Sequence, residues 1–354
     1  MEIDCCRPTF AAQTSRDRAA VARRAHNPKV GGSIPPLATK KTSNRGLFLF
    51  VATFVRVALV KQLRMKAGFV NIFGRPNAGK STLLNALIGE KMAIVSHKVQ
   101  TTRHRIKAFL NKPGEYQIIF SDTPGIIDPK YKLHQKMMDT VKGALEDADL
   151  ALLMVDANES FEEVDALFSS MKLKVPALVI LNKIDIAGNG RIAMAESFFA
   201  TRPYCKKLIK IGALEKLHLN KLLQAIIELL PEGVPFYNED DLSDLPTKFF
   251  VAEMIREKIY ELFSDEIPYH TAVMVNEFKE KEKLIKIQAD IIVHRETQKA
   301  IIIGDKGKMI RQIGMDARRD IEAFLQQKIF LELFVKVRPK WRDNDLQLKE
   351  YGYQ

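Results

Sequence analysis

The stretch Gly74-Arg75-Pro76-Asn77-Ala78-Gly79-Lys80-Ser81 decides how this 354-residue chain is read. It fits G-x-x-x-x-G-K-[ST], a loop whose backbone N–H groups cradle phosphates. Before it, residues 68–73 (Gly-Phe-Val-Asn-Ile-Phe) read as a short buried strand. After it, residues 82–87 read as a helix with Leu83, Leu84 and Leu87 facing a core. A strand that feeds a helix through glycines aims N–H groups and a helix N-terminus at an anion. In that frame Gly74, Asn77, Ala78, Gly79 and Thr82 form or flank the cradle. Lys80 reaches the β- and γ-phosphates, and the Ser81 hydroxyl ligates Mg²⁺. The plain alternative is a Gly-rich turn that holds no ligand.

Two further segments follow in order. Asp122-Thr123-Pro124-Gly125 comes after the apolar run 116–121, which places the Asp122 carboxylate at the C-terminal edge of a strand. There it can hold magnesium through a water, while the Gly125 N–H senses the γ-phosphate. Alone, this segment reads equally as a Pro-Gly turn with an Asp cap. Asn182-Lys183-Ile184-Asp185 follows 177–181, a continuous apolar run expected of an interior parallel strand. Asp185 can accept from guanine N1–H and its exocyclic amine, whereas adenine offers no such donor pair. Asn182 would brace the loop and the Lys183 stem would lie over the base. Together the three segments point to GTP rather than ATP.

From residue 65 to about 231 apolar strands alternate with helical patterns, the signature of an α/β fold with a doubly wound, mostly parallel sheet. Strands are expected at 150–156 and 207–211, and helices at 161–171 and 219–230. Residues 231–246, with Gly233, Pro235 and Glu239-Asp240-Asp241, read as a linker. Beyond 247 the pattern changes to α+β. A helix over 248–263 precedes a hairpin of 271–275 and 284–293. Next come an apolar turn at 300–303, the loop Gly304-Asp305-Lys306-Gly307 and a fresh helix start at 308–310. A helix over 315–326 and a strand over 330–337 close the unit. The glycines let the loop approach a nucleic-acid backbone, and Ile303 can line a groove for bases. Lys306, Lys308, Arg311 and Arg318 concentrate positive charge nearby. This order of elements resembles a KH domain, which binds single-stranded RNA. Without that context, G-x-x-G reads as two glycines at a helix break.

The formal charge of +12 favours a polyanionic partner, although many basic proteins have none. Cys5, Cys6 and Cys205 offer no disulfide framework and no Cys/His metal spacing, so a reducing compartment is expected. Residues 1–64 differ from the rest. Their apolar run at 47–60 is short for a membrane span and contains Arg56. The Arg-rich start resembles a mitochondrial presequence, but Glu2, Asp4 and Asp17 count against that. Residues 26–39, with Gly32-Ser33-Ile34-Pro35 at their centre, resemble a translated transfer-RNA gene. The natural product is therefore expected to start at Met65, with 1–64 a disordered extension or a mis-assigned start.

With both halves read, residues 65–354 resemble the Era family, bacterial GTPases that pair a Ras-like G domain with a C-terminal KH domain. The resemblance implies a G domain at 65–232, a linker at 233–246, a type II KH domain at 247–340 and a tail at 341–354. Gln100-Thr101-Thr102-Arg103-His104 matches the family's first switch, so a threonine there, Thr102 ahead of Thr101, would close onto Mg²⁺ and the γ-phosphate. Lys80, Thr102 and Gly125 are then the catalytic set, and Ser81, Thr102 and Asp122 the magnesium set. Family function implies GTP and GDP as ligands and the 3′ end of small-subunit (16S) ribosomal RNA as target. It also implies help with 30S subunit assembly, cytoplasmic residence as a monomer, and peripheral contact with the inner membrane. Two positions depart from common patterns. Ile126 stands where Ras-type enzymes carry a water-positioning glutamine, so intrinsic turnover should be slow, although isoleucine there is usual for Era-like proteins. The base-backing loop reads Gly212-Ala213 rather than Ser-Ala, with backbone N–H groups left to meet the guanine oxygen. Asn77 is a candidate ligand for K⁺ in place of the glutamine.

Rival readings are a tandem-G-domain assembly or RNA-modification GTPase, an RNA-binding module with a vestigial G domain, and a lipid-anchored signalling GTPase.

Overall fold

A computed structural model describes residues 65–282 and 284–353. The expectations for 1–64 lie outside these. Eleven elements build the first layer system: β1 (Met65–Gly74), α1 (Lys80–Ile88), β2 (Ile106–Lys112), β3 (Tyr116–Asp122), α2 (Lys132–Glu146), β4 (Leu150–Asp156), α3 (Phe161–Ser170), β5 (Ala177–Asn182), α4 (Asn189–Ala200), β6 (Cys205–Lys210) and α5 (Leu219–Leu229). Their sheet has the order β2-β3-β1-β4-β5-β6, parallel except for β2 against β3. A short β7 (Glu232–Gly233) pairs antiparallel with the start of β1.

The parallel strands are apolar along nearly their whole length because helices cover both faces. β4 and β5 are buried throughout apart from the final Asp156. One face packs Leu83 and Leu84 of α1 with Leu222 and Ile226 of α5. The other packs α2, α3 and α4 through Met137, Val141, Phe168 and Phe199. From β1 the chain runs to the edge strand β2 and back through β3, then crosses to β4 on the other side of β1. That reversal opens a crevice at the C-terminal ends of the strands, and the motif residues sit there.

The linker segment is not free chain. Gln117 on β3 accepts from the Phe236 and Tyr237 N–H groups (2.6 and 3.0 Å) and donates to Tyr237 O (2.9 Å). Phe109 N–H donates to Leu242 O (2.9 Å), and the Phe109 ring stacks on Tyr237. These bonds draw the segment along the β2 side of the sheet and set where the next unit begins.

The second unit contains α6 (Thr247–Leu262), β8 (Ala272–Glu280), β9 (Ile285–Val293), α7 (Glu296–Ile303), α8 (Lys308–Leu325) and β10 (Ile329–Val337), with α9 (Asp345–Glu350) in the tail. Its sheet runs β10-β9-β8, with β9 and β10 parallel and β8 antiparallel. Ile255, Ile259, Ile291, Ile302, Ile313 and Ile321 form its core.

Two elements differ from the sequence reading. Residues 300–303 are the last turn of α7, not a separate turn; Gln298 Oε1 caps that helix by accepting from His294 and Arg295 N–H, and Ile302 is buried. And the helix start at 308–310 and the helix over 315–326 are one element, α8, which runs unbroken from Lys308 through Gly314 to Leu325. The tail also folds back. Trp341 is fully buried, donates to His270 O (3.0 Å), and joins Leu348 and Tyr353 on the α2 side of the G domain.

Candidate functional site

The phosphate loop takes its shape from positions that only glycine tolerates. Gly79 has φ +99°, and a Cβ there would lie 2.2 Å from the Asn182 amide nitrogen. Gly125 abuts Pro76, where a Cβ would approach within 2.8 Å. Loop and switch backbones therefore run closer together than side chains allow. Lys80 is buried, and its ammonium donates to Gly74 O (3.1 Å) and Arg75 O (2.8 Å). Burial pulls its pKa down to about 8, against the opposing pull of Asp122 and Glu159.

Asp122 is the electrostatic centre. Its Oδ2 accepts from Ser81 Oγ (2.6 Å) and Thr102 Oγ1 (3.0 Å), and those two hydroxyls lie 2.8 Å apart. Its other oxygen is buried with no hydrogen-bond partner. Burial raises the carboxyl pKa despite Lys80 and both hydroxyls, so the charged form needs a further positive partner. Two hydroxyls and a carboxylate, all hard oxygens with one lone atom to spare, fit a magnesium ion. Among the described residues no cluster of three His, Cys, Asp or Glu competes for a metal.

A cavity of roughly 470 Å³ joins the three motifs. Asn77, Gly79, Lys80, Ser81, Thr82, Thr102, Gly125, Asn182, Lys183, Asp185 and Ala213 all line it. Gly74, Ala78, Asp122, Thr123, Pro124 and Gly212 stand behind that wall. Asn182 links the two ends of the site: its amide nitrogen donates to Ala78 O (2.9 Å) and its oxygen accepts from Ala213 N–H (3.0 Å). Thr123 donates to Ile72 O (2.6 Å), tying the second switch to β1.

The base end differs from the sequence reading at one point. Gly212 N–H donates to Leu217 O and Ala213 N–H to Asn182, so both groups assigned to the guanine oxygen are spent within the protein. Leu214 and Ile186 flank the cavity there instead. A Cβ at Gly212 would lie 2.8 Å from Asp185 Oδ1, so the glycine gives that carboxylate room. Sequence reasoning also missed Asp156, which ends β4 and pairs with Lys183 at 2.6 Å. Its place at a strand end, like that of Asp122, was the available signal. Residues 94–97 were missed as well; they close the cavity rim, where Asn77 donates to His97 O (2.8 Å).

The Gly304–Gly307 loop lies on the far unit. Gly304 has φ +71°, with Met309 crowding the space a Cβ would need, and Lys306 is also left-handed. Three positive-φ residues in four, Gly304, Lys306 and Gly307, push Asp305, Lys306 and Lys308 into solvent at the α8 N-terminus, with Arg311 exposed one turn on. Ile303 beside them is half-buried. Arg318 stands apart, about 15 Å further along the helix, paired with Glu322 at 3.0 Å.

With this geometry in view, the comparisons with known proteins are specific. A 50S ribosome-binding GTPase family model matches residues 69–183, and a KH domain model matches 266–342. The Era GTPase of Geotalea uraniireducens is 42% identical over 295 residues, covering 82% of this chain and 99% of the relative. The chain belongs to the Era family of GTPases. Era of Trichlorobacter lovleyi is 44% identical over 296 residues, covering 82% and 98%. A variant of Aquifex aeolicus Era bound to GDP and aluminium fluoride superposes with a TM-score of 0.79 at 40% identity, covering 82% of this chain and 99% of that one. An Era structure holding MgGDPNP and nucleotides 1506–1542 of 16S ribosomal RNA gives the same figures. This Era-family chain thus joins a GTPase fold to a KH domain. No helix among its described residues is long and apolar enough to cross a membrane.

The buried Lys80 makes stability depend on pH. Below pH 8 the lysine is charged in both folded and unfolded states, and folding carries the cost of burying it. Between about 8 and the ordinary 10.5 the folded protein releases this proton first, so the unfolded chain binds more protons and stability rises with pH. Between pH 8 and 10 the stability of the nucleotide-free parent should therefore rise relative to Lys80→Met, which has no proton to lose, as read by denaturant unfolding.

Proposed function

We propose that this chain is a slow GTP-timed switch whose KH domain binds the 3′ end of 16S ribosomal RNA and assists assembly of the 30S subunit. One observation carries the nucleotide half. Ser81, Thr102 and Asp122 converge beside a phosphate loop and a guanine-type loop that line a single cavity. The RNA half is supported by the exposed, lysine-bearing Gly304–Gly307 loop and by the related Era structure that contains such RNA. In the domain division that follows, 65–232 handle nucleotide, 233–246 connect, 247–340 bind RNA and 341–354 form the tail.

Loop N–H groups and Lys80 hold the phosphates, and Lys80 opposes charge that builds on them during transfer to water. Ser81 and Thr102 directly, and Asp122 through a water, would hold Mg²⁺, which when bound neutralises phosphate charge. The Gly125 N–H meets the γ-phosphate and couples its presence to the second switch. Asp185 selects guanine, and Asn182 fixes the distance between the base and phosphate ends. Ile126 packs with the α2-side core and carries no polar atom to orient water, which keeps intrinsic turnover slow. Asn77 commits its amide nitrogen to His97 O, and its oxygen is the atom proposed for K⁺. On the KH side, Ile303, Gly304 and Gly307 let RNA approach, with Lys306, Lys308 and Arg311 contacting phosphates. Asp305 shapes the loop, and Arg318 contributes only as a distant charge.

Lys80→Ala should lower steady-state phosphate release by about 10²–10³-fold; a variant as active as the parent would return the G domain to a vestigial role. Replacing K⁺ by Na⁺ at constant ionic strength should slow release, and equal rates would remove Asn77 as a cation ligand. The double variant Lys306→Ala/Lys308→Ala should weaken binding of a 16S 3′-end oligonucleotide and flatten its log–log salt dependence by roughly 2, read by fluorescence anisotropy.

A further inference from the structure

The first switch is held from outside the G domain, by the first helix of the RNA-binding unit. Every residue from Glu253 to Tyr260 on α6 is buried. Tyr260 Oη donates to Gln100 O (3.0 Å), and the Arg256 guanidinium donates to Thr101 O. On the other side of Thr102, the Arg103 guanidinium reaches into the KH unit. It donates to Thr271 O (2.7 Å), Pro268 O (2.9 Å) and Tyr260 Oη (3.2 Å). Further upstream the Lys98 ammonium donates to Tyr260 O and Phe263 O, and Lys91 pairs with Glu257 (2.5 Å).

These bonds bracket one residue. Thr102 lies between a clamped carbonyl and a clamped guanidinium, and its hydroxyl meets Ser81 and Asp122. Gln100 has φ +60°, a backbone state that costs energy for a non-glycine residue and persists only where its surroundings enforce it. Here the enforcing bond is the Tyr260 hydroxyl on the Gln100 carbonyl. Arg256 is itself oriented by Glu253, whose two oxygens take its Nε (2.8 Å) and a terminal nitrogen (2.5 Å). The terminal nitrogen that Glu253 holds is the one that donates to Thr101 O, so the planar fork fixes the direction of that bond, which a flexible lysine would not.

We propose that Arg256 and Tyr260 are positioning residues for the nucleotide site: the KH domain supplies, in cis, the hydrogen bonds that hold Thr102 in its closed place. This rests on the GTP reading of the cavity and deepens it. Because a switch threonine touches only a nucleotide that carries a γ-phosphate, loosening the clamp should weaken GTP and spare GDP. A role confined to stability would affect both nucleotides alike.

The test compares full-length parent, Tyr260→Phe and Arg256→Lys. Both changes keep most of the buried volume while altering a donor. Affinities for labelled GDP and for a non-hydrolysable GTP analogue are measured, with turnover at saturating GTP, thermal unfolding, and affinity of the GDP form for the 16S 3′-end oligonucleotide. Expected for each variant is a roughly tenfold loss of analogue affinity, the scale of one hydrogen bond, and a comparable fall in turnover. GDP affinity and GDP-state RNA affinity should match the parent. Parent-like analogue affinity and turnover in Tyr260→Phe overturn the proposal, as does an equal loss of both nucleotides accompanied by a lower unfolding temperature. A parent that neither binds nor hydrolyses GTP instead overturns the reading of the cavity, and this proposal falls with it.

Discussion

A carboxylate buried at the end of a strand is the constraint from which the site is organised. Asp122 has no solvent exposure, and an unpaired charge in such a place is costly. Its two neighbouring hydroxyls belong to segments far apart in sequence: Ser81 opens α1 and Thr102 belongs to the first switch. Lys80, one residue before Ser81, lies close enough for each charge to affect the other's titration. The sheet edge, the phosphate loop and the switch are thus pulled to one point by an electrostatic demand that they only partly meet. One carboxylate oxygen remains without a partner, and a cation completes the set.

The same logic of buried charge governs the contact between the two units. Arg103 and Arg256 are almost fully buried, and guanidinium groups in that setting are tolerable only when most of their N–H groups find oxygens. Arg103 takes its carbonyl oxygens from the KH unit, whereas Arg256 is held by Glu253 of its own helix and adds one switch carbonyl, that of Thr101. Sliding one unit over the other would strand Arg103, so the contact favours a single register. Tail residues Trp341 and Tyr353 extend it, with Tyr353 stacking on His104 at the end of the switch. That stacking covers part of His104, and desolvation holds its pKa down at about 4, so it enters the contact as a neutral ring.

Much of the G domain was legible because its signals are local. Gly79 and Gly304 combine positive φ with no room for a Cβ, so glycine there marks a turn through local sterics alone. Apolar runs such as 150–155 and 177–181 can only be buried strands once both sheet faces are covered. The misreadings were local too. The pieces at 308–310 and 315–326 are one helix, joined by a buried stripe of Ile313, Ala317, Ile321 and Leu325 that shows only once the helix packs. Gly212 and Ala213 looked available to the base because their partners, Leu217 and Asn182, are chosen by loop closure.

The sequence by itself determined the chemistry of the parts: a phosphate cradle, a strand-end carboxylate, a guanine-type loop and a cationic loop between two glycines. Each depends on residue identity at short spacing, and short-range sterics and charge enforce such patterns wherever the chain goes. Only the tertiary structure decided how the parts address one another. It placed Thr102 rather than Thr101 against Ser81 and Asp122, and it turned the buried face of α6 onto the switch. It also laid residues 236–242 along the sheet rather than leaving them as a tether. The contact of α6 with the switch depends on carbonyls, which every residue carries alike, and on partners about 155 to 168 positions away. A backbone oxygen has no letter in the sequence, so its choice of partner becomes visible only in the fold.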